Sequence, residues 1–237
     1  MPNHLAEEAA SLFQITLTPA QVAQFERYAA ALVDWNQRMN LTAIVDAEGI
    51  RVRHFLDSLS VAPVVQPTAR MQIIDVGTGA GFPGLPLAIA FPGIHLTLLE
   101  ATGKKLTFLE HVAAELGLRQ VRTLHARAEE AGQMAAHRAA YDVVLARSVA
   151  RLPVLLEYLL PLAKVGGLCV AMKGDTAAAE VQDSKRALGL LGGQILRIEP
   201  VALPGVTDAH HLVVVKKVAH TPVSYPRKPG LPSQNPL

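Results

Sequence analysis

The sequence predicts an α/β protein: a doubly wound, mostly parallel seven-stranded sheet with a helical N-terminal extension. Two observations carry that expectation. Short, strongly apolar runs recur at 71–76, 95–100, 121–126, 141–146, 167–173, 194–199 and 210–218, with helical periodicity between most of them at 84–91, 103–116, 151–163 and 176–190. Strands that are apolar throughout belong to sheets covered on both faces. The first 65 residues, in contrast, carry helical spacing and no clear strand.

Taken in order, Thr18 and Pro19 supply N-cap and first-turn chemistry for a helix in which Val22, Phe25, Leu32 and Trp35 recur at helical spacing to about residue 38. Trp35 belongs to the core of this reading. A second helical stretch, 47–64, carries Ile50, His54 and Leu59 and ends near Pro63. "QPTAR" (66–70) forms a junction, which divides the chain into a helical extension (1–65), a sheet domain (66–218) and a proline-rich, extended tail (219–237). The last two strands have no helix between them and are joined through "PVALPGVTD", so they should form an antiparallel hairpin at one side of the sheet.

The 237 residues are half apolar, enough for a full core, and the net charge of +2 permits an acidic partner such as RNA without requiring one. A lone cysteine, Cys169, lies in an apolar strand and excludes a disulfide framework within the chain. The N-terminus lacks a basic region followed by an apolar block, and no window approaches the roughly 20 apolar residues of a membrane span. The expectation is a soluble, cytoplasmic monomer.

The chemistry gathers at "QIIDVGTGAGFPGLPLA" (72–88), where a strand ends on Asp75 and a turn carries Gly77, Gly79 and Gly81. A glycine loop between strand and helix lines a nucleotide-type site at the C-terminal edge of a parallel sheet. The dinucleotide fingerprint G-x-G-x-x-G fails because its third glycine position holds Phe82. Asp75 would put negative charge beside a pyrophosphate, whereas it suits a ligand bearing an amino group and a sulfonium. Glu100 ends the second strand about 20 residues on, where an acid can accept both ribose hydroxyls. Together these favour S-adenosylmethionine. Ala128 and Glu129, in "HARAEE" after the third strand, are candidates for the adenine edge.

Arg147 and Arg151 follow the fourth strand and Lys173 ends the fifth, all at the same edge. No Asn/Asp-Pro-Pro-aromatic motif is present to receive the hydrogens of an exocyclic amine, and there is no cysteine pair for attack on a pyrimidine carbon. Guanine N7 has an in-plane lone pair and no proton to lose, so its methylation needs mainly alignment of the reactants. Arg147 and Lys173 are the candidate catalytic cations and Arg151 a candidate RNA contact. His54 and Asp57, three apart on one helix, share a face and either wall the cleft or pair with each other. Asn40 follows the first helix and could turn toward substrate. Lys104, with Lys105, opens a helix where basic residues oppose the helix dipole, a placement that suits RNA phosphate. Arg227, Lys228 and Tyr225 in the tail either grip RNA or belong to a strap packed on the domain. His210 and His211 should point to opposite strand faces, which argues against a joint metal site; no metal is expected.

The blocks "WNQRMNLT" (35–42), "RHFLDSL" (53–59), "DVGTGAGFPGLPLAI" (75–89), "EATGKKLTFL" (100–109), "RAEE" (127–130), "ARSVA" (146–150), "MKG" (172–174) and "TPVSYPR" (221–227) closely resemble the bacterial small-subunit ribosomal RNA methyltransferase G family, formerly glucose-inhibited division protein B. The resemblance runs nearly end to end. It implies a Rossmann-like methyltransferase sheet, and N7 methylation of one guanine, position 527 in standard numbering, in 16S rRNA or the small-subunit particle, with S-adenosyl-L-methionine as methyl donor. It implies cofactor contacts at Gly77, Phe82, Ala128, Glu129 and Arg147, to which the reasoning above adds Asp75, Gly79, Gly81 and Glu100. Two departures from the family pattern are Ser148, where alanine is common, and His210, where arginine is usual. The competing readings are a methyltransferase of the same fold acting on another RNA, a protein or a small molecule, and a non-catalytic RNA-binding relative.

Overall fold

In the computed structural model, which describes residues 2–237, seven strands form one sheet: β1 (Gln72–Val76), β2 (His95–Glu100), β3 (Val121–His125), β4 (Tyr141–Arg147), β5 (Ala163–Lys173), β6 (Gly193–Val201) and β7 (His210–Lys217). Their order is β3-β2-β1-β4-β5-β7-β6. The first five run parallel and β7 pairs antiparallel with both β5 and β6, the expected hairpin. The chain reverses its winding between β1 and β4, and in open α/β sheets a crevice forms at that switch point, beyond the C-terminal strand ends.

Side-chain alternation sorts the strands between two buried layers. In β1 and β4, Ile73, Val143 and Leu145 face one layer, and Ile74, Val144 and Ala146 the other. The same parity runs through β5, with Val170 and Met172 on the first layer and Ala171 on the second, and through β7, with Leu212 and Val214 on the first and Val213 on the second. That parity decides where the polar residues at the strand ends can go.

The first layer is shared with the N-terminal helices. Phe25, Tyr28 and Leu32 form the buried stripe of helix Pro19–Met39 and join the cluster that holds Leu85 and Phe108. Side-chain amides fix the contact: Gln21 donates to the Ile89 and Ala90 carbonyls at 2.8 and 2.9 Å, Gln24 to Leu116 at 2.7 Å. These are C-terminal helix carbonyls with no partner inside their own helices. Gln21 also closes a capping box with Thr18.

Several elements differ from expectation. The stretch at 176–190 is two helices broken at Ser184, and β5 begins at Ala163 rather than 167. The stretch 47–64 is helical but widened, with Ile50–Leu56 in π geometry. The tail is not simply extended; it turns repeatedly, ends with a helical turn at Leu231–Gln234, and is pinned by side chains of the sheet domain. Arg138 donates to the carbonyls of Thr221, Pro222 and Tyr225 at 2.8 to 3.0 Å, and Gln133 to Pro226 at 2.8 Å. Among the described residues no helix is long and apolar enough to cross a membrane, and no cluster of His, Cys, Asp and Glu could hold a metal ion.

Candidate active site

A cleft of about 550 Å³ opens at the C-terminal edge of the sheet, lined by the glycine turn, by Arg147 and His210, and by His54 and Asp57 from the N-terminal helices. Both alternatives for the last two residues are thereby settled: they wall the cleft, and each bonds elsewhere. His54 Nε2 lies 2.8 Å from the Thr42 hydroxyl, and Asp57 Oδ2 accepts from Arg147 Nη1 at 2.9 Å.

Asp75 does not reach this cleft. It is fully buried beneath the turn, and its Oδ2 accepts from the Thr78 hydroxyl at 2.6 Å and the Gly84 N–H at 2.9 Å. The expectation that it meets a ligand amino group is corrected: β1 parity sends it inward, where it ties the turn to the helix that follows. Its Oδ1 is the one buried side-chain polar atom without a hydrogen-bond partner among the described residues, and burial pushes the carboxyl up to about 6. Glu100, also buried, accepts from the Gly79 N–H at 3.1 Å and the Thr102 N–H at 2.9 Å. It braces the lip of the turn from below.

The turn makes room for a ligand unequally along its length. At Gly79 (φ +61°) a Cβ would meet nothing within 4 Å; at Gly81 (φ +100°) it would strike the Leu85 side chain and come within 2.7 Å of the Tyr28 hydroxyl. Gly79→Ala should therefore fold with about 1–2 kcal/mol of left-handed backbone strain and weaken cofactor binding. Gly81→Ala adds overpacking to the same strain and should lower stability by about 3 kcal/mol or more. Equal melting temperatures for the two variants would contradict this difference.

Phe82 forms the floor. Its ring stacks on His54 at 4.4 Å and on Tyr28 at 5.4 Å, and the Arg147 guanidinium lies over it 4.9 Å from the centroid. Tyr28, buried, donates to the Ala80 carbonyl at 2.5 Å and so holds the turn from the N-terminal side. Sequence reasoning passed over it, although a tyrosine on the buried stripe of a helix needs a partner for its hydroxyl.

Burial, and next the Arg147 cation, hold His54 down at about 4, so it is neutral at pH 7. Between 6.5 and about 4 the unfolded chain binds a proton at this residue that the folded protein refuses, and stability falls as pH drops through that window. Asp75 works in the opposite direction between about 6 and 3.8, since its folded form binds the proton more tightly. His54→Gln should lose the first effect, and its stability loss from pH 7 to 4.5 in urea titrations should be smaller than that of the unmodified protein by about 2 kcal/mol. Identical losses would show that His54 titrates normally.

The remaining candidates divide by strand parity. Arg147 shares the face of Val143 and Leu145 and points toward the N-terminal helices, where Nη1 also donates to the Arg53 carbonyl at 3.0 Å. Lys173, one place beyond Met172, has the opposite parity; although it borders the cleft, its Nζ bonds Glu180 at 2.8 Å and the Ala150 carbonyl at 2.5 Å. Burial would raise the Glu180 carboxyl, but Lys173 and the Thr176 and Leu152 donors hold it low. Arg151 is exposed and pairs with Asp183 at 2.8 Å outside the cleft lining. Asn40 is the exposed, left-handed C-cap of its helix (φ 49°, ψ 55°). Lys104 is exposed, while Lys105 borders the cleft. Glu129 lies outside the lining, buried, and accepts from the Gly230 N–H of the tail at 3.0 Å, with Ala128 half-buried beside it. Arg227 binds the buried Glu157 rather than facing out, which is the strap arrangement.

His210 and His211 both border the cleft but bond different partners. His210 Nδ1 lies 3.2 Å from Asp57 Oδ1, and His211 Nδ1 lies 3.0 Å from the Gly174 carbonyl. The hydrogen bond to Asp57 raises the His210 pKa, against the opposing effect of burial.

Residues 21–210 match the family described as rRNA small subunit methyltransferase G. A protein named ribosomal RNA small subunit methyltransferase G from Alkaliphilus oremlandii is 46% identical over 233 residues, covering 98% of each chain. One of the same name from Acetivibrio thermocellus is 48% identical over 230 residues, covering 97% of this chain and 94% of its own. Among solved structures, TrmN from Thermus thermophilus superposes with a TM-score of 0.54 at 19% identity, over 71% of this chain and 53% of its own. A geranyl diphosphate methyltransferase in complex with SAM gives 0.55 at 13% identity, over 69% and 85%. At such identities the structures show a shared fold.

Proposed function

This chain belongs to the rRNA small subunit methyltransferase G family, and from that premise we propose that it methylates N7 of a single guanine of 16S rRNA, with S-adenosyl-L-methionine as donor. The observation that carries the reading is the cleft itself, where a turn stripped of side chains at Gly77 and Gly79 faces the Arg147 guanidinium across an aromatic floor.

The residues fit the donor. Gly79 opens onto free space, and Glu100 stands beneath the turn with lone pairs beyond those used by the Gly79 and Thr102 N–H groups. The backbone at Gly77–Ala80 would hold the nucleoside, which when bound supplies an electrophilic methyl on a sulfonium. A neutral His54 on the cleft wall adds no positive charge to repel that cation. Arg147, tied through Nη1 and with Nη2 3.4 Å from His54 Nδ1, has Nε and the second Nη2 hydrogen left to hold an oxygen of the RNA in line. No proton need leave guanine N7, so the residues act by alignment and exclusion of water rather than by acid–base chemistry. We place this activity in the cytoplasm, on 16S rRNA or the small-subunit particle.

The test is borohydride–aniline cleavage followed by primer extension on 16S rRNA, free and as subunit particles, after incubation with protein and S-adenosylmethionine. A single stop at the guanine named by the resemblance is the expected result. Stops elsewhere, or none on either substrate, would refute the assignment.

A further inference from the structure

Asp57 sits between an arginine and a histidine and divides its oxygens between them. Oδ2 accepts from Arg147 Nη1 at 2.9 Å, and Oδ1 faces His210 Nδ1 at 3.2 Å. This division is not what an arginine and a buried carboxylate adopt when left alone. Their favoured arrangement is two-pronged, both oxygens meeting two N–H groups of the fork. Asp57 side-chain exposure is only 7%, so water competes little for Oδ1, and the neighbouring acid, Asp208, is engaged by Arg53 at 3.2 Å. His210 is the group that holds Oδ1 away from the guanidinium. Its strand parity, shared with Leu212 and Val214, aims it at Asp57, while His211, of opposite parity, bonds the Gly174 carbonyl at another part of the cleft rim.

We propose that His210 is a positioning residue which, by engaging Oδ1, prevents Asp57 from closing a two-pronged grip on Arg147; Nη2 already lies 3.4 Å from His54 Nδ1, and the effect is to keep Nε and the second Nη2 hydrogen free for the RNA. The proposal rests on the functional reading above and adds to it a residue that acts through a neighbour. His210 need not touch substrate or cofactor. Its contribution is to limit how much of Arg147 is consumed by the protein's own acid.

The two amides separate this role from mere packing. His210→Asn keeps a donor where Nδ1 stands, whereas His210→Gln moves the donor to the place of Nε2 and releases Oδ1. Measured on 16S rRNA, kcat/KM for the Asn variant should stay within about twofold of the unmodified protein. The Gln variant should lose about tenfold, chiefly through a higher KM for RNA. In an Arg147→Lys background, where no fork exists to be captured, His210→Gln should change kcat/KM by less than about twofold. Equal losses for Asn and Gln, or the same Gln loss in both backgrounds, would overturn the proposal. Failure of the functional reading is seen separately, as absence of methylation by the unmodified protein. In that case crystal structures of the His210→Gln variant decide: both Asp57 oxygens on Arg147 support the proposal, and a retained single contact overturns it.

Discussion

Replacing Arg147 with alanine is expected to lower kcat/KM for methyl transfer to 16S rRNA at least about tenfold, or about 1.4 kcal/mol of transition-state stabilisation. The side chain is held at four points: the Arg53 carbonyl at 3.0 Å, Asp57 at 2.9 Å, His54 Nδ1 at 3.4 Å and the Phe82 face at 4.9 Å. A group so fixed enters the reaction already oriented, and alanine removes both the orientation and the donors. Stability should suffer less than when a buried pair is fully broken, because Asp57 retains its contact with His210. Arg147→Lys distinguishes charge from geometry. A single ammonium should preserve most of the salt dependence of RNA binding while recovering little of the rate, because it lacks the planar fork. Unchanged kinetics in the alanine variant would remove Arg147 from the site.

Arg227→Ala should produce the largest loss of stability among the substitutions considered, about 3–5 kcal/mol. Glu157 is fully buried, and Arg227 answers it with the backbone N–H at 2.8 Å, Nε at 2.9 Å and Nη2 at 2.6 Å. Truncating the arginine leaves a carboxylate in the interior with most of its donors gone. At this chain length the loss corresponds to a melting temperature lower by roughly 6–20 °C. The double variant Glu157→Leu, Arg227→Met should recover most of it, since the demand for a partner disappears with the acid. A melting temperature within about 1 °C of the unmodified protein would mean that the tail is loosely attached and Arg227 is free for RNA after all.

The scaffold was legible because its central strands are strongly apolar and its glycines and prolines punctuate them. The same feature concealed the site. A strand apolar on both sides carries no alternation, so nothing local told Arg147 from Lys173, although one meets the N-terminal helices and the other the Glu180 layer. Asp75 was expected to meet a ligand because it precedes the glycine turn, and Glu129 because it follows the third strand; spacing alone shows neither the burial of the first nor the bond of the second to the tail. Tyr28 reaches the glycine turn, and Thr42 and the partners of Asp57 the cleft, by tertiary contacts over as many as 153 positions of sequence, as between Asp57 and His210, and periodicity carries no record of such distances. The glycine spacing was readable because its chemistry is local.

The widened helix at Ile50–Leu56, where the Asp57 N–H reaches back to the Val52 carbonyl, accommodates more residues per turn than an ordinary helix. Loss of one codon there is expected to be absorbed by tightening into normal helical winding, leaving the flanking segments in register. His54 and Asp57 would nevertheless be carried off their present bearings. Such a shortened chain should accumulate as a soluble, stable protein that no longer modifies its target, a null allele invisible to any screen that monitors abundance alone.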